Sequence, residues 1–166
     1  MLGITCILLV FISFLLLKRF KAELIFEGIK EKKFYGSGVD SIVGYKKAIK
    51  GLDTAIALNP LSSGYLCKKA DLLADLANHK DLASGLIILD EFGSRDKMLV
   101  SAGNFYQKAI DLNPSRADYH LRLGWLYTVL NRQPLAYEEF KKASILDPQN
   151  EEIKSYINKY LNEEGI

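Results

Sequence analysis

This chain of 166 residues holds only two cysteines, two histidines, four prolines and one tryptophan. Cys6 and Cys67 are too few for a disulfide framework, and neither stands at the spacing of a metal or redox pair. His79 and His120 offer no ligand spacing either. His79 sits in the polar stretch 78–81 and is expected in solvent, whereas His120 falls inside a helical pattern and is expected to pack. Charge of one sign is also missing: 22 Lys and Arg stand against 20 Asp and Glu, a net charge of +2. That is far from the basic excess of a phosphate-binding surface, so no nucleic-acid partner is expected. Gly36, Ser37 and Gly38 lack the preceding strand that a phosphate-cradling loop requires. With no nucleophile, acid/base pair or ligand set in view, the chain is not expected to be an enzyme, and no catalytic residue, metal or cofactor is assigned.

What is there begins with an uncharged apolar block at residues 2–17, closed by Lys18, Arg19 and Lys21. This reads as a single membrane-spanning helix over residues 1–20, slightly short for a hydrocarbon core of about 30 Å unless Lys18 and Arg19 snorkel and Phe20 sits at the interface. The basic residues follow the block, which predicts a single-pass membrane protein with the remainder in the cytoplasm. Three alternatives stand beside this. A cleaved signal peptide is disfavoured because the basic residues come after the apolar run and no Ala-x-Ala-like site follows. A lipid anchor at Cys6 lacks a preceding apolar segment, and a buried core helix sits poorly with the terminal position.

Beyond residue 20 the chain repeats itself. The pattern Ala-x-x-Leu-Asn/Asp-Pro occurs at residues 55–60, 109–114 and 143–148. Recurrence at about 20–50 residues points to stacked supersecondary units. The last unit, residues 117–150, is the clearest: Leu123, Gly124 and Tyr127 belong to one helix, Ala136, Phe140 and Ala143 to a second. Asn131 to Gln133 form the turn, and Pro134 opens the second helix where its missing N–H is harmless. Gly124 and Ala136 are small enough to let the two helices cross closely.

Ala102, Tyr106, Ala109 and Pro114 repeat the second-helix pattern, as do Ala48, Leu52, Ala55 and Pro60. A first helix over residues 63–78 carries Leu66, Ala70 and Leu73. Pro148 follows Pro114 by 34 residues, but Pro114 follows Pro60 by 54, twenty more than the period. The excess around residues 79–94 contains the apolar run 86–89 and Phe92, and is expected as an added helical piece packed back on the array. The first unit is expected as helices over 22–33 and 39–58, separated by residues 35–38. Residues 151–162 carry Ile153, Tyr156, Ile157, Tyr160 and Leu161 on one face and read as a terminal capping helix.

These residues and spacings resemble the tetratricopeptide repeat, a helical hairpin of about 34 residues. His120 departs from the pattern, which has an aromatic or large apolar residue there. The resemblance implies an all-α array of about three repeats, residues 21–62, 63–116 and 117–150, with a capping helix at 151–166. It further implies a scaffold or adaptor that binds a protein or peptide partner in the concave groove of its first helices. The groove positions would be Tyr65, Lys68, Asp71 and Asp75 in the middle repeat and Asp118, Leu121, Arg122, Trp125 and Thr128 in the last. Trp125 could equally pack under a neighbouring helix; Asp71 and Asp75 could receive a cation or basic peptide, or simply form a solvated face. One subfamily clamps a C-terminal carboxylate with Lys, Asn and Arg, and here Cys67 and Asp71 occupy the places of that Lys and Asn, which argues against such a ligand. A weaker resemblance is to the repeat-bearing tail of O-antigen ligase-like membrane proteins, implying an accessory of envelope or surface-polysaccharide assembly.

Overall fold

The computed structural model describes residues 2–30, 39–79 and 92–164. These form seven helices: α1 Leu2–Lys30, α2 Val39–Leu58, α3 Ser63–Ala77, α4 Arg95–Leu112, α5 Ala117–Val129, α6 Gln133–Leu146 and α7 Glu151–Glu164. Consecutive helices pair as hairpins, α1 with α2, α3 with α4 and α5 with α6, and α7 packs on α6. Contacts of α2 with α3 and of α4 with α5 join the hairpins into an array.

The recurrent Ala-x-x-Leu-Asn/Asp-Pro pattern has one structural meaning at all three places. The backbone N–H of Asn59, Asn113 and Asp147 donates to the carbonyl of Ala55, Ala109 and Ala143 at 2.9, 3.0 and 2.8 Å, closing the last turn of each second helix. The proline that follows has no N–H to extend the ladder. The same three alanines are fully buried, because a larger side chain would hold the neighbouring helix away. Starts are set by side chains as well: Ser94 Oγ accepts from Lys97 N–H, and Asn150 Oδ1 accepts from Glu152 and Ile153 N–H at 3.1 and 3.3 Å. In the α5–α6 turn Asn131 takes a φ of 56°, a left-handed conformation that asparagine tolerates better than most residues.

Gly124 marks the tightest crossing. A Cβ there would lie 2.6 and 2.7 Å from ring carbons of Phe140 and 3.2 Å from the carbonyl of Ala136. Phe140 in turn stacks on Tyr156 of α7, with ring centroids 4.7 Å apart and planes 11° from parallel. Ile153 is buried in the same junction, so α7 covers the end of the last hairpin. At the corner where the repeat pattern has an apolar residue, buried His120 faces two acceptors. Its Nδ1 lies 2.7 Å from Glu139 Oε2 and its Nε2 3.3 Å from the Pro114 carbonyl, while Glu139 also accepts from Lys142.

The expected membrane-spanning helix is overturned, and with it the single-pass membrane placement and the cytoplasmic orientation of the repeats. Among the described residues no helix is long and apolar enough to cross a membrane. The uncharged block 2–17 supplies about 24 Å of helix at 1.5 Å per residue, short of a core of about 30 Å. The helix does not end at the basic residues but continues through Lys18, Arg19, Lys21, Glu23 and Glu27 as the first helix of the array, burying Ala22 and Ile29. Lys18 lies over the ring of Phe14 on its own helix, and Glu23 accepts a 2.6 Å hydrogen bond from Tyr65. The buried Ala22 and Ile29 and the Tyr65–Glu23 bond dock the later part of α1 on the array, while the apolar residues 7–17 stay largely exposed.

His79 is corrected too. Placed in solvent by its polar neighbours, it is buried, with its ring edge-on to Tyr45 at 6.1 Å, because the end of α3 turns it back against α2. The helix break at 35–38 and most of the insert around 79–94 lie outside the described residues.

Candidate functional site

The first helices of the second and third hairpins, α3 and α5, face a common concavity of about 710 Å³. Its lining comes from five helices: Tyr45 of α2, Lys68, Asp71, Leu72, Ala74 and Asp75 of α3, Tyr106 of α4, Asp118, Leu121, Arg122 and Trp125 of α5, and Glu152 and Tyr156 of α7, with Asn150 at its edge. The helical spacing explains the grouping. Lys68, Asp71 and Asp75 are three and four residues apart on α3, as are Asp118, Leu121 or Arg122, and Trp125 on α5, so each set forms one stripe.

Seven of the nine expected groove residues therefore line the cavity: Lys68, Asp71, Asp75, Asp118, Leu121, Arg122 and Trp125. The other two lie elsewhere. Tyr65 is buried against Phe26 of α1, ring centroids 4.7 Å apart, where burial and the carboxylate of Glu23 push its phenol up to about 12. Thr128 donates to the Gly124 carbonyl at 3.2 Å, within its own helix. Tyr45, Tyr106, Glu152 and Tyr156 were missed. For Tyr156 and Glu152 a signal existed, since a helix that caps an array also walls the end of its groove. Tyr45 and Tyr106 carried none, being second-helix residues that reach the floor from behind.

The floor is an ion-paired tie. Asp71 Oδ1 accepts from Arg122 Nη1 at 2.8 Å and from Tyr106 Oη at 2.7 Å, joining α3, α4 and α5 at one oxygen. Burial and the nearby Asp71 carboxylate raise Tyr106 well above the usual phenol range, so it stays a donor. Burial opposes the charge of Arg122, but Asp71 outweighs it and the guanidinium stays protonated. At the rim, Arg116 forks onto Asp118 with hydrogen bonds of 2.8 and 3.0 Å. Desolvation pushes Asp118 up, yet the paired guanidinium prevails and holds it below the usual carboxylate range. Cys67, behind the floor, is pushed up to about 12 by burial and then by Asp71, which leaves it an unreactive thiol.

Two carboxylates remain outside these ties. Asp75 and Glu152 make no side-chain hydrogen bond or ion pair among the described residues. Asp75 is raised from the ordinary aspartate value by desolvation and then by Asp71, against the opposing charges of Lys68 and Arg122. Trp125, the sole tryptophan, is 38% exposed and contributes to the cavity wall, the rest of the residue being packed. Among the described residues no group of His, Cys, Asp and Glu is arranged to hold a metal ion. The arrangement is a concavity with aromatic walls and a charged floor.

No family model and no curated protein matches the chain. Solved structures do. It is similar to the first tetratricopeptide domain of Spaghetti (RPAP3), bound to an HSP90 peptide SRMEEVD, with a TM-score of 0.65 at 16% identity over 89% of this chain and 96% of that one. The second such domain of human RPAP3, in complex with an HSP70 peptide SGPTIEEVD, gives 0.61 at 15% identity over 88% and 97%. The Arabidopsis OM64 tetratricopeptide domain gives 0.58 at 19% identity over 89% and 94%. Identities this low speak to fold, and on the fold they agree with the helix pairing and the buried small residues: this chain is a tetratricopeptide-like helical array.

Proposed function

We propose that this chain is a protein-interaction module that binds an extended peptide, or a segment of a partner protein, in the groove between α3 and α5. The observation that carries the reading is the wall of that groove. Trp125 exposes an aromatic face in a concave site of about 710 Å³ instead of filling the core, and tryptophan in a concave pocket is the residue type that most often dominates binding energy. The Asp71–Arg122–Tyr106 tie supports it by fixing three helices, so that a ligand meets a floor already formed and the ordering cost on the groove side is small. Two of the similar structures hold peptides, which favours the same use of this groove.

Selection of a displayed random-peptide library on the full chain tests the reading. The expected result is a set of peptides whose binding falls about tenfold or more with Trp125→Ala and again with Tyr156→Ala, while both variants remain folded by circular dichroism. Failure to enrich any peptide, or enrichment of peptides indifferent to both substitutions, would sink it.

A further inference from the structure

The peptide-binding structures similar to this chain carry acidic peptides, ending in Glu-Glu-Val-Asp. This groove is built with the opposite sign. Among its lining side chains Asp71 is neutralised by Arg122, and Asp118 by Arg116 at the rim. What is left over is Asp75 and Glu152 against Lys68 alone, a negative remainder inside a chain whose net charge is +2. An acidic peptide entering here would meet the two carboxylates that nothing in the groove has paired. A cationic side chain would meet carboxylates, one from α3 and one from α7, together with the rings of Trp125 and Tyr156. Carboxylate and aromatic face are the two surfaces a guanidinium engages at once, by forked hydrogen bonds and by stacking.

Resting on the peptide-binding reading above, we propose that the groove selects a basic peptide, with an arginine side chain seated between the aromatic walls and the carboxylates of Asp75 and Glu152. Asp75 supports the assignment from a separate direction. Its side chain is exposed on the groove side of α3, yet desolvation by its surroundings and then the like charge of Asp71 raise its pKa against Lys68 and Arg122, so the charged form is mildly unfavourable in the folded chain. Unfavourable charge of that kind is held in a fold most economically where a ligand's opposite charge completes it. Arg122 does not serve this purpose, since its Nη1 is committed to Asp71.

The sole tryptophan lies in the wall, so its emission reports occupancy directly. The full chain would be titrated with three Gly/Ser-spaced peptides of one length, carrying two arginines, two glutamates or two glutamines. The expected result is an emission change with the arginine peptide at about tenfold or greater preference over the glutamine peptide, and none with the glutamate peptide. In the Asp75→Asn/Glu152→Gln variant that preference should fall to about threefold or less, with glutamine-peptide binding unchanged. Equal or tighter binding of the glutamate peptide, or an undiminished arginine preference in the variant, overturns the charge selectivity and leaves the peptide-binding groove standing. Silence of all three peptides, checked by calorimetry, removes the groove reading and the selectivity together.

Discussion

The two faces of α5 make an instructive pair. One face, with His120, Leu123 and Gly124, is buried against α6, and its one polar side chain is hydrogen-bonded. The other, with Asp118, Arg122 and Trp125, is at least partly exposed and lines the cavity. Both belong to one helix of 13 residues, so neither helix propensity nor position in the chain separates them. Burial does. On the buried face a change in volume has nowhere to go, whereas on the groove face it alters only what the site can hold. Substitutions on the first should therefore register in unfolding, and on the second in binding.

The largest effect is expected at Gly124. Since even a Cβ would press on the Phe140 ring and the Ala136 carbonyl, Gly124→Leu must push α5 and α6 apart and disturb the Phe140–Tyr156 stack beyond them. The expected loss is about 3 kcal/mol, roughly 6–12 °C in Tm for a chain of this size, by thermal unfolding followed by circular dichroism. A midpoint within 2 °C of the parent would mean that this crossing is looser than its geometry.

Next comes the polar corner of the same face. Glu139→Ala removes the carboxylate opposite His120 Nδ1 and leaves a buried ring nitrogen without its acceptor, an expected loss of about 2 kcal/mol. Replacing both partners is expected to cost less than replacing one, because an apolar pair of similar volume restores the packing without an orphaned polar group. His120→Phe/Glu139→Leu, measured beside the single variants in a double-mutant cycle, separates this from simple loss of volume.

The two faces also differ in how far the sequence announced them. The buried face was legible because its residues are types chosen for size, glycine and alanine at crossings, with Asn/Asp-Pro ends at a fixed interval. The stripe Asp118, Leu121, Arg122, Trp125 followed from helical spacing once the hairpin register was known. Tyr106 and Tyr45 were not legible, because a second-helix tyrosine reads as core filler and only three-dimensional packing brings its hydroxyl or ring to the groove. Tyr65 went the other way. Its place in the stripe suggested the groove, but α1 packs over it through Phe26 and Glu23, a contact between residues some 40 positions apart. The apolar block of α1 misled for a different reason: Lys18, Arg19 and Lys21 read as the end of a span, whereas the helix runs on through them to Lys30 as part of the array.

On the groove face, Trp125→Ala should leave the fold nearly intact. The residue is 38% exposed and is not among the buried residues of α5, so the expected change in stability is about 1–2 kcal/mol, against the 3–5 kcal/mol of truncating a fully buried aromatic. A drop in the latter range would make Trp125 a structural residue after all and erase the contrast between the faces.

The smallest effect, and the one of opposite sign, belongs to Asp75. Desolvation in the groove and the adjacent Asp71 raise its pKa in the folded chain, while Lys68 on the same helix and Arg122 of α5 oppose them without cancelling the rise. The folded chain thus holds the Asp75 proton more tightly than the unfolded chain does. The stability this group contributes is complete below the unfolded carboxylate range and is lost as pH rises through the folded pKa. Asp75→Asn removes the charge without changing the shape. It is expected to raise Tm slightly at pH 7, and the gain should shrink and disappear as pH is lowered through the carboxylate range, where parent and variant are both uncharged at this position. The measurement is the Tm difference between the two proteins at a series of pH values. A gain that persists unchanged at pH 3 would have to come from something other than the Asp75 charge, and a loss at pH 7 would mean that the carboxylate is stabilised in the groove; either result would remove the argument that this charge is held there for a ligand.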